Sequence, residues 1–368
     1  MNSAKRIFII SGEASGDLHA ANLVRELNLQ NVRSTFVGWG GDRMKAEGVE
    51  LKKHISELAF MGFVEVLMNI RTILSNIKLC KAQIIEFKPD FILLVDYPGF
   101  NLRIAKWAKS QGIKIIYYIS PQIWAWKQSR VFQIRDNVDK MFCILPFEQD
   151  FYKKFGVQVD YCGHPLLDEI NLFNQVEGNK ILSIKPILAI LPGSRKQEIE
   201  RKLPLMIEAS ESFPDYEVYV ACAPNLEMQF YDRFRKKNVH FIQNQTYQLL
   251  NSSTMAMVTS GTATLETALF QVPQVVCYKS SSVSYFIAKL LVKIKFISLV
   301  NLILNKEVVR ELIQQNCSVE NIVKELELIK LEGVKRDKML NEYKELIYLL
   351  GEKGASMRVA QKIWSEFG

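Results

Sequence analysis

The sequence has no long hydrophobic run. The charge-free apolar stretch Phe296–Leu304 falls far short of the ~20 residues that span a bilayer. Only four apolar residues, Ile7 to Ile10, precede the polar run Ser11-Gly12-Glu13, so a secretory leader is not expected. The six cysteines, Cys80, Cys143, Cys162, Cys222, Cys277 and Cys317, lie far apart and none forms a C-x-x-C pair. That spacing excludes a sequence-evident zinc ribbon and a small disulfide scaffold, and it fits reduced thiols in a cytoplasm. No G-x-x-x-x-G-K-[ST] is present, which disfavours P-loop hydrolysis of ATP. Short-period repeats and low-complexity segments are also missing.

What is present is a chain of 368 residues, 48% hydrophobic and 23% charged, which rules out wholesale disorder and suggests about two domains. The 47 basic against 39 acidic residues give a net charge of +8, favouring anionic partners: nucleic acid, phosphorylated substrates or an acidic membrane surface. Continuous apolar runs at Arg6–Ile10, Phe91–Val95 and Lys114–Ile119 alternate with helix-like stretches. Such runs suggest buried parallel strands in βαβ units, whose ligands sit beyond the carboxyl ends of the strands. A polar linker over 174–185 precedes a second series at Ile187–Leu191, Glu217–Ala221, Met255–Thr259 and Gln274–Tyr278. Glu320–Phe367 reads as mostly helical, broken at Gly351 and Gly354. The expected fold is α/β, with two α/β halves joined by the linker and a site in the cleft between them.

Two loops of the second half suit an anion. In Leu191-Pro192-Gly193-Ser194-Arg195, a glycine lets the backbone approach a phosphate, a following helix aims its amides at it, and Ser194 and Arg195 add donors. Ser260-Gly261-Thr262 opens another helix, with Glu266 one turn further in, where a carboxylate can accept ribose hydroxyls. A plain strand-to-helix turn and a solvated glutamate remain the alternatives. Gly38-Trp39-Gly40-Gly41 matches a dinucleotide fingerprint only faintly.

Candidate acid–base groups lie in the first half. Ser11–His19 places Glu13, Asp17 and His19 in one short turn, and Asp96 ends an apolar strand, where desolvation would raise its basicity. Turn formation by Asp96, helix capping by Asp17 and structural hydrogen bonding by His19 are the competing readings.

Together these stretches resemble the lipid A disaccharide synthases, glycosyltransferases of Gram-negative bacteria. The matching segments are SGEASGDLH (11–19), MGFVEVL (61–67), VDYPGFN (95–101), SPQIWAWK (120–127), GHPLL (163–167), LPGSR (191–195), SGTATLETAL (260–269) and residues 299–312. They run in order over nearly the whole chain. The resemblance implies a GT-B fold of two Rossmann-like domains facing across a cleft. Residues 1–173, joined by the terminal helix 355–368, would form the acceptor side, and 186–350 the UDP-sugar side. It implies inverting transfer from UDP-2,3-diacylglucosamine to 2,3-diacylglucosamine 1-phosphate in lipid A biosynthesis, with no cofactor and no metal. Asp96 is the first choice of base, with Asp17, His19 and Glu13 as alternatives or acceptor-positioning groups. Gly193, Ser194, Arg195, Arg201, Ser260, Gly261, Thr262, Glu266 and Asn301 are assigned to the UDP-sugar. Ser15, Met61, Phe63, Trp124 and Trp126 are assigned to the acceptor or its acyl chains. Arg310 stands where the family often has Pro, a departure placed at a helix start.

The resemblance also implies a peripheral enzyme on the cytoplasmic face of the inner membrane, and some relatives form dimers by exchanging C-terminal segments. Ser284–Leu299, with Lys289, Lys293 and Lys295, reads either as a basic amphipathic surface or as a core helix with snorkelling lysines. Two other classes compete: another GT-B enzyme such as a UDP-GlcNAc 2-epimerase, and a non-enzymatic nucleic-acid or membrane binder. The second would leave both anion loops unexplained and has no recognised nucleic-acid motif.

Overall fold

The computed structural model describes residues 4–30, 33–58, 70–176, 178–281 and 294–368. The apolar runs become parallel strands, and they are continuous rather than alternating because both faces of each sheet are covered. Seven strands make the first sheet: β1 (Lys5–Ser11), β2 (Ser34–Gly40), β3 (Glu50–His54), β4 (Phe91–Val95), β5 (Lys114–Tyr118), β6 (Lys140–Cys143) and β7 (Asp160–Tyr161), in the order β3-β2-β1-β4-β5-β6-β7. Phe8, Ile10, Ile92 and Leu94 enter the core on one face. Ile7, Ile9, Phe91 and Leu93 enter the core on the other, where they meet Val359, Ala360 and Ile363 of the C-terminal helix Ala355–Phe367.

The second sheet has six parallel strands: β8 (Ile187–Leu191), β9 (Glu217–Cys222), β10 (Val239–Gln243), β11 (Ser253–Thr259), β12 (Gln274–Tyr278) and β13 (Arg310–Ile313), in the order β10-β9-β8-β11-β12-β13. The chain divides into two units, residues 1–168 with 352–368, and residues 169–351. The first boundary falls inside the helix Leu166–Asn174, a few residues before the point the sequence suggests. Each unit is Rossmann-like, and each has one point where strand order reverses: between β1 and β4, and between β8 and β11. Loops at such a switch point splay apart and open a crevice for a ligand.

The segment GWGG closes β2 with Gly38-Trp39-Gly40, its Gly41 precedes the short helix Asp42–Ala46, and it is no phosphate fingerprint. Gly38 is required there because a Cβ would lie 1.9 Å from the Ile9 carbonyl oxygen. Arg310 opens β13, paired with β12, so the departure from the family pattern lies on an edge strand and not at a helix start.

The C-terminal helix is tied to the first unit by polar contacts as well as by its apolar stripe. The Asp168 carboxylate accepts the amides of Gly354, Ala355 and Ser356. Arg358 donates to the carbonyls of Cys162, Lys353 and Glu352. Trp364 Nε1 donates to the Leu27 carbonyl at 3.1 Å.

Candidate active site

At the first switch point Ser11 pairs with Val95, so the turns that follow β1 and β4 lie side by side. Asp96 and Tyr97 both occupy the left-handed region, with φ of 47° and 49°. Two consecutive non-glycine residues there are strained, and surrounding bonds must hold them. The Asp96 carbonyl accepts from Asn101 Nδ2 at 2.8 Å and from the Tyr117 hydroxyl at 2.5 Å. Asn101, fully buried, also reaches the Val95 and Ile10 carbonyls. Gly12 gives the Tyr97 ring its room, since a Cβ would come within 2.4 Å of it.

This backbone leaves the Asp96 carboxyl pushed up to about 6, by burial first and by the nearby Glu13 carboxylate second, with the Tyr97 amide opposing. Glu13 occupies the N-cap position of the helix Ala14–Leu29, yet its side chain makes no capping bond. The two carboxylates therefore meet at the reversal of strand order with neither spent on the fold's own termini. Ser15 is exposed beside them.

Asp17 has a different task. Its Oδ1 accepts the amides of Gly41 and Met44 at 2.7 and 3.2 Å, and Oδ2 accepts that of Arg43 at 3.1 Å. It thus caps the short helix Asp42–Ala46 from a neighbouring helix, which replaces the expected catalytic part with a structural one. His19 is buried, and burial pushes its imidazole down to about 4 against the opposing pull of Asp168. Its charge interactions run to His164 and Asp168, on the side of the C-terminal helix.

The SPQIWAWK segment follows β5. Trp124 is buried and donates Nε1 to Glu148 Oε1 at 3.2 Å, while Glu148 Oε2 accepts the Ile144 and Leu145 amides. Burial pushes the Glu148 carboxyl up to about 7. Trp126 is exposed, with Lys127 Nζ and the Arg130 guanidinium 4.6 and 5.5 Å from its ring centre.

At the second switch point Leu191 pairs with Val258, which sets the two glycine loops side by side. Gly193 and Gly261 take φ of 113° and 137°, conformations that side chains resist. Arg195 is the exposed N-cap residue of the helix Lys196–Ser210, and its Nη1 lies 3.2 Å from Glu198 Oε1. Ser194 is exposed on the same turn. Gly261 and Thr262 open the helix Thr262–Leu269, and the Ser260 hydroxyl donates to the Ile297 carbonyl at 2.8 Å. Glu266 is not solvated as a surface helix glutamate would be: Tyr247 donates to it at 3.1 Å, and burial raises its carboxyl. Arg201 is exposed further along its helix.

The family model for lipid-A-disaccharide synthetase matches residues 7–363. The lipid-A-disaccharide synthase of Myxococcus xanthus (strain DK1622) is 40% identical over 376 residues, covering 99% of this chain and 98% of that protein. That of Nitrosococcus oceani is 40% identical over 371 residues, covering 98% and 96%. The chain belongs to the lipid-A-disaccharide synthase family. It is therefore a glycosyltransferase of lipid A synthesis. Among solved structures, the glycosyltransferase of kitacinnamycin superposes with a TM-score of 0.70 at 13% identity over 100% of both chains. The UDP-GlcNAc 2-epimerase of Neisseria meningitidis superposes with 0.68 at 13% identity, over 98% of this chain and 100% of that one. These likenesses show the fold, two Rossmann-like domains of the GT-B type.

Within the lipid-A-disaccharide synthase family frame, the structure brings Glu13 and Asp96 together in one unit, and Gly193, Arg195 and the Ser260–Thr262 loop together in the other. Asn301 does not join the second set. It is fully buried, its Oδ1 accepting the Val308 and Val309 amides and its Nδ2 donating to the Val309 carbonyl and Glu311, so no polar capacity remains for a donor sugar. Met61, Phe63, Lys289 and Lys293 lie outside the described residues; Lys295 sits 5.0 Å from the Phe296 ring centre. Sequence reasoning missed Asn101, Glu148 and Glu311. Glu311 holds the Ile297 and Ser298 amides behind the Ser260 loop. It also missed Lys202, although Ile199, Lys202, Leu203 and Met206 follow one helical stripe that is otherwise apolar.

Proposed function

We propose that this chain transfers 2,3-diacylglucosamine from UDP-2,3-diacylglucosamine to the 6-hydroxyl of 2,3-diacylglucosamine 1-phosphate, with inversion. The products are a β-1,6-linked disaccharide 1-phosphate and UDP. The observation that carries the reading is Asp96: a carboxylate on strained backbone at a switch point, raised toward neutrality by burial and by Glu13 against the bond from the Tyr97 amide. Its carboxylate removes the acceptor hydroxyl proton as the oxygen attacks the anomeric carbon. Glu13 keeps Asp96 basic, and Ser15 helps orient the acceptor.

As the bond from the anomeric carbon to the diphosphate breaks, negative charge gathers on UDP. The C-terminal unit meets it with the amides of the Gly193 and Gly261 loops, the Ser194 hydroxyl and the Arg195 guanidinium. Glu266, steadied by Tyr247, is suited to accept from the ribose. The N-terminal unit is thus the acceptor side and the C-terminal unit the UDP-sugar side. No described helix is long and apolar enough to cross a membrane, and peripheral contact with anionic lipid is assigned to Trp126, Lys127, Arg130 and the basic stretch ending at Lys295.

The test is incubation of the full chain with both substrates in detergent and EDTA. Equal amounts of UDP and disaccharide 1-phosphate are expected. UDP without disaccharide, or turnover only after a divalent ion is restored, overturns the reading.

A further inference from the structure

Lys202 is buried with 2% exposure, the one lysine so placed among the described residues. An unpaired ammonium in that position is expensive, and an apolar side chain would continue the stripe of Ile199, Leu203 and Met206. Its Nζ donates to the hydroxyl of Thr259, the last residue of β11 and the one before the Ser260 loop. One turn back on its own helix, Glu198 Oε2 stands 3.9 Å away. The other oxygen of Glu198 holds Arg195. The same carboxylate lies against the glycine turn, 2.7 Å from where a Cβ of Gly193 would be. Two cations therefore share one anion directly behind the diphosphate loops, and the trio keeps a net positive charge facing them.

We propose that Lys202 is a positioning residue for the diphosphate: it retains Glu198 when Arg195 turns to the ligand, and it fixes a cation where the β8 and β11 loops converge. This rests on the assignment of UDP to the C-terminal unit and goes beyond it. Glu198, by gripping Arg195, sets the threshold an anion must exceed. Burial lowers the lysine's proton affinity, Glu198 supports it, and Arg195 opposes it. The Cys277 and Cys317 thiols face it from β12 and from the turn after β13.

The test is calorimetric titration of the full chain with UDP and, separately, with uridine, which lacks the phosphates. In Lys202→Met, UDP affinity is expected to fall by ~10-fold or more while uridine affinity holds, and Lys202→Arg is expected to recover most of the loss. A merely structural lysine would weaken both ligands together. An unchanged ratio of UDP to uridine affinity in folded Lys202→Met overturns the proposal. If that variant does not fold, Glu198→Gln decides: releasing Arg195 should leave UDP binding equal or tighter, and weaker UDP binding with uridine unaffected overturns the relay. Wild-type protein that binds no UDP removes the assignment of UDP to this unit, and the role of Lys202 with it; wild-type protein that binds UDP while the ratio stays constant in Lys202→Met removes the role of Lys202 alone.

Discussion

The two switch points are built alike and furnished in opposite ways. Both sit where strand order reverses in a parallel sheet, and both carry left-handed backbone at the strand ends. In the N-terminal unit those conformations belong to Asp96 and Tyr97, bulky residues forced there by Asn101 and Tyr117, and the charge on offer is negative. In the C-terminal unit they belong to Gly193 and Gly261, which adopt them freely, and the charges beside the turn are two cations, Arg195 and Lys202, sharing the single carboxylate of Glu198. Strain aims one carboxylate at the strand end. Glycine strips side chains away so that amides are exposed. On the proposed function, the same architecture yields a proton acceptor in one unit and an anion receptor in the other.

The comparison breaks first, and furthest, at Asp96. Asp96→Asn is expected to lower kcat by ~10² or more with UDP affinity unchanged, as stopped assays and calorimetry would read. In the wild type, activity should fall as pH drops through about 6, where this carboxyl takes up its proton. Stability has the opposite sign. The folded carboxyl is raised above its ordinary value, so its ionised form burdens the native state above about pH 6 and the burden lifts as pH falls toward the unfolded value. Asp96→Asn should therefore melt no lower than wild type at pH 8, and a lower melting temperature would argue for a structural aspartate.

A smaller effect is expected at the opposite pole. Arg195→Ala should weaken UDP by at least ~10-fold in a titration and leave the acid limb of the rate profile where it was. A shifted limb would mean that the two poles are not chemically separate. The mildest variant is Asp17→Asn, which sharpens the contrast inside the SGEASGD segment. It should cost about 1–2 kcal/mol in denaturant unfolding, the ordinary value of a cap, with turnover of the folded enzyme preserved.

Much of this was legible in the sequence because it is local. An apolar run followed by Gly-Ser-Arg or Ser-Gly-Thr announces a strand end and an open turn, and Asp96 stands one residue past a run of five apolar residues. What spacing could not separate was a polar residue that serves chemistry from one that serves the fold. Asp17 and Asn301 both sit inside matching segments, and both are consumed by backbone amides, those of Gly41, Arg43 and Met44 for Asp17 and those of Val308 and Val309 for Asn301. The strain at Asp96 was equally hidden, since it depends on Tyr117 from the next strand. Short or glycine-interrupted strands such as β2, β7 and β13 lack a continuous apolar signature, and pairing alone makes them strands.

The clasp formed by Asp168 and Arg358 on the C-terminal helix has a consequence for biogenesis. The stripe of Val359, Ala360 and Ile363 covers part of one face of the first sheet, beside the helix Ala14–Leu29, yet it is translated only after the whole second unit. On the ribosome, the half that carries Asp96 must wait with part of that face uncovered until residues 355–363 emerge, and a nascent protein truncated near residue 351 would be left with an aggregation-prone flank.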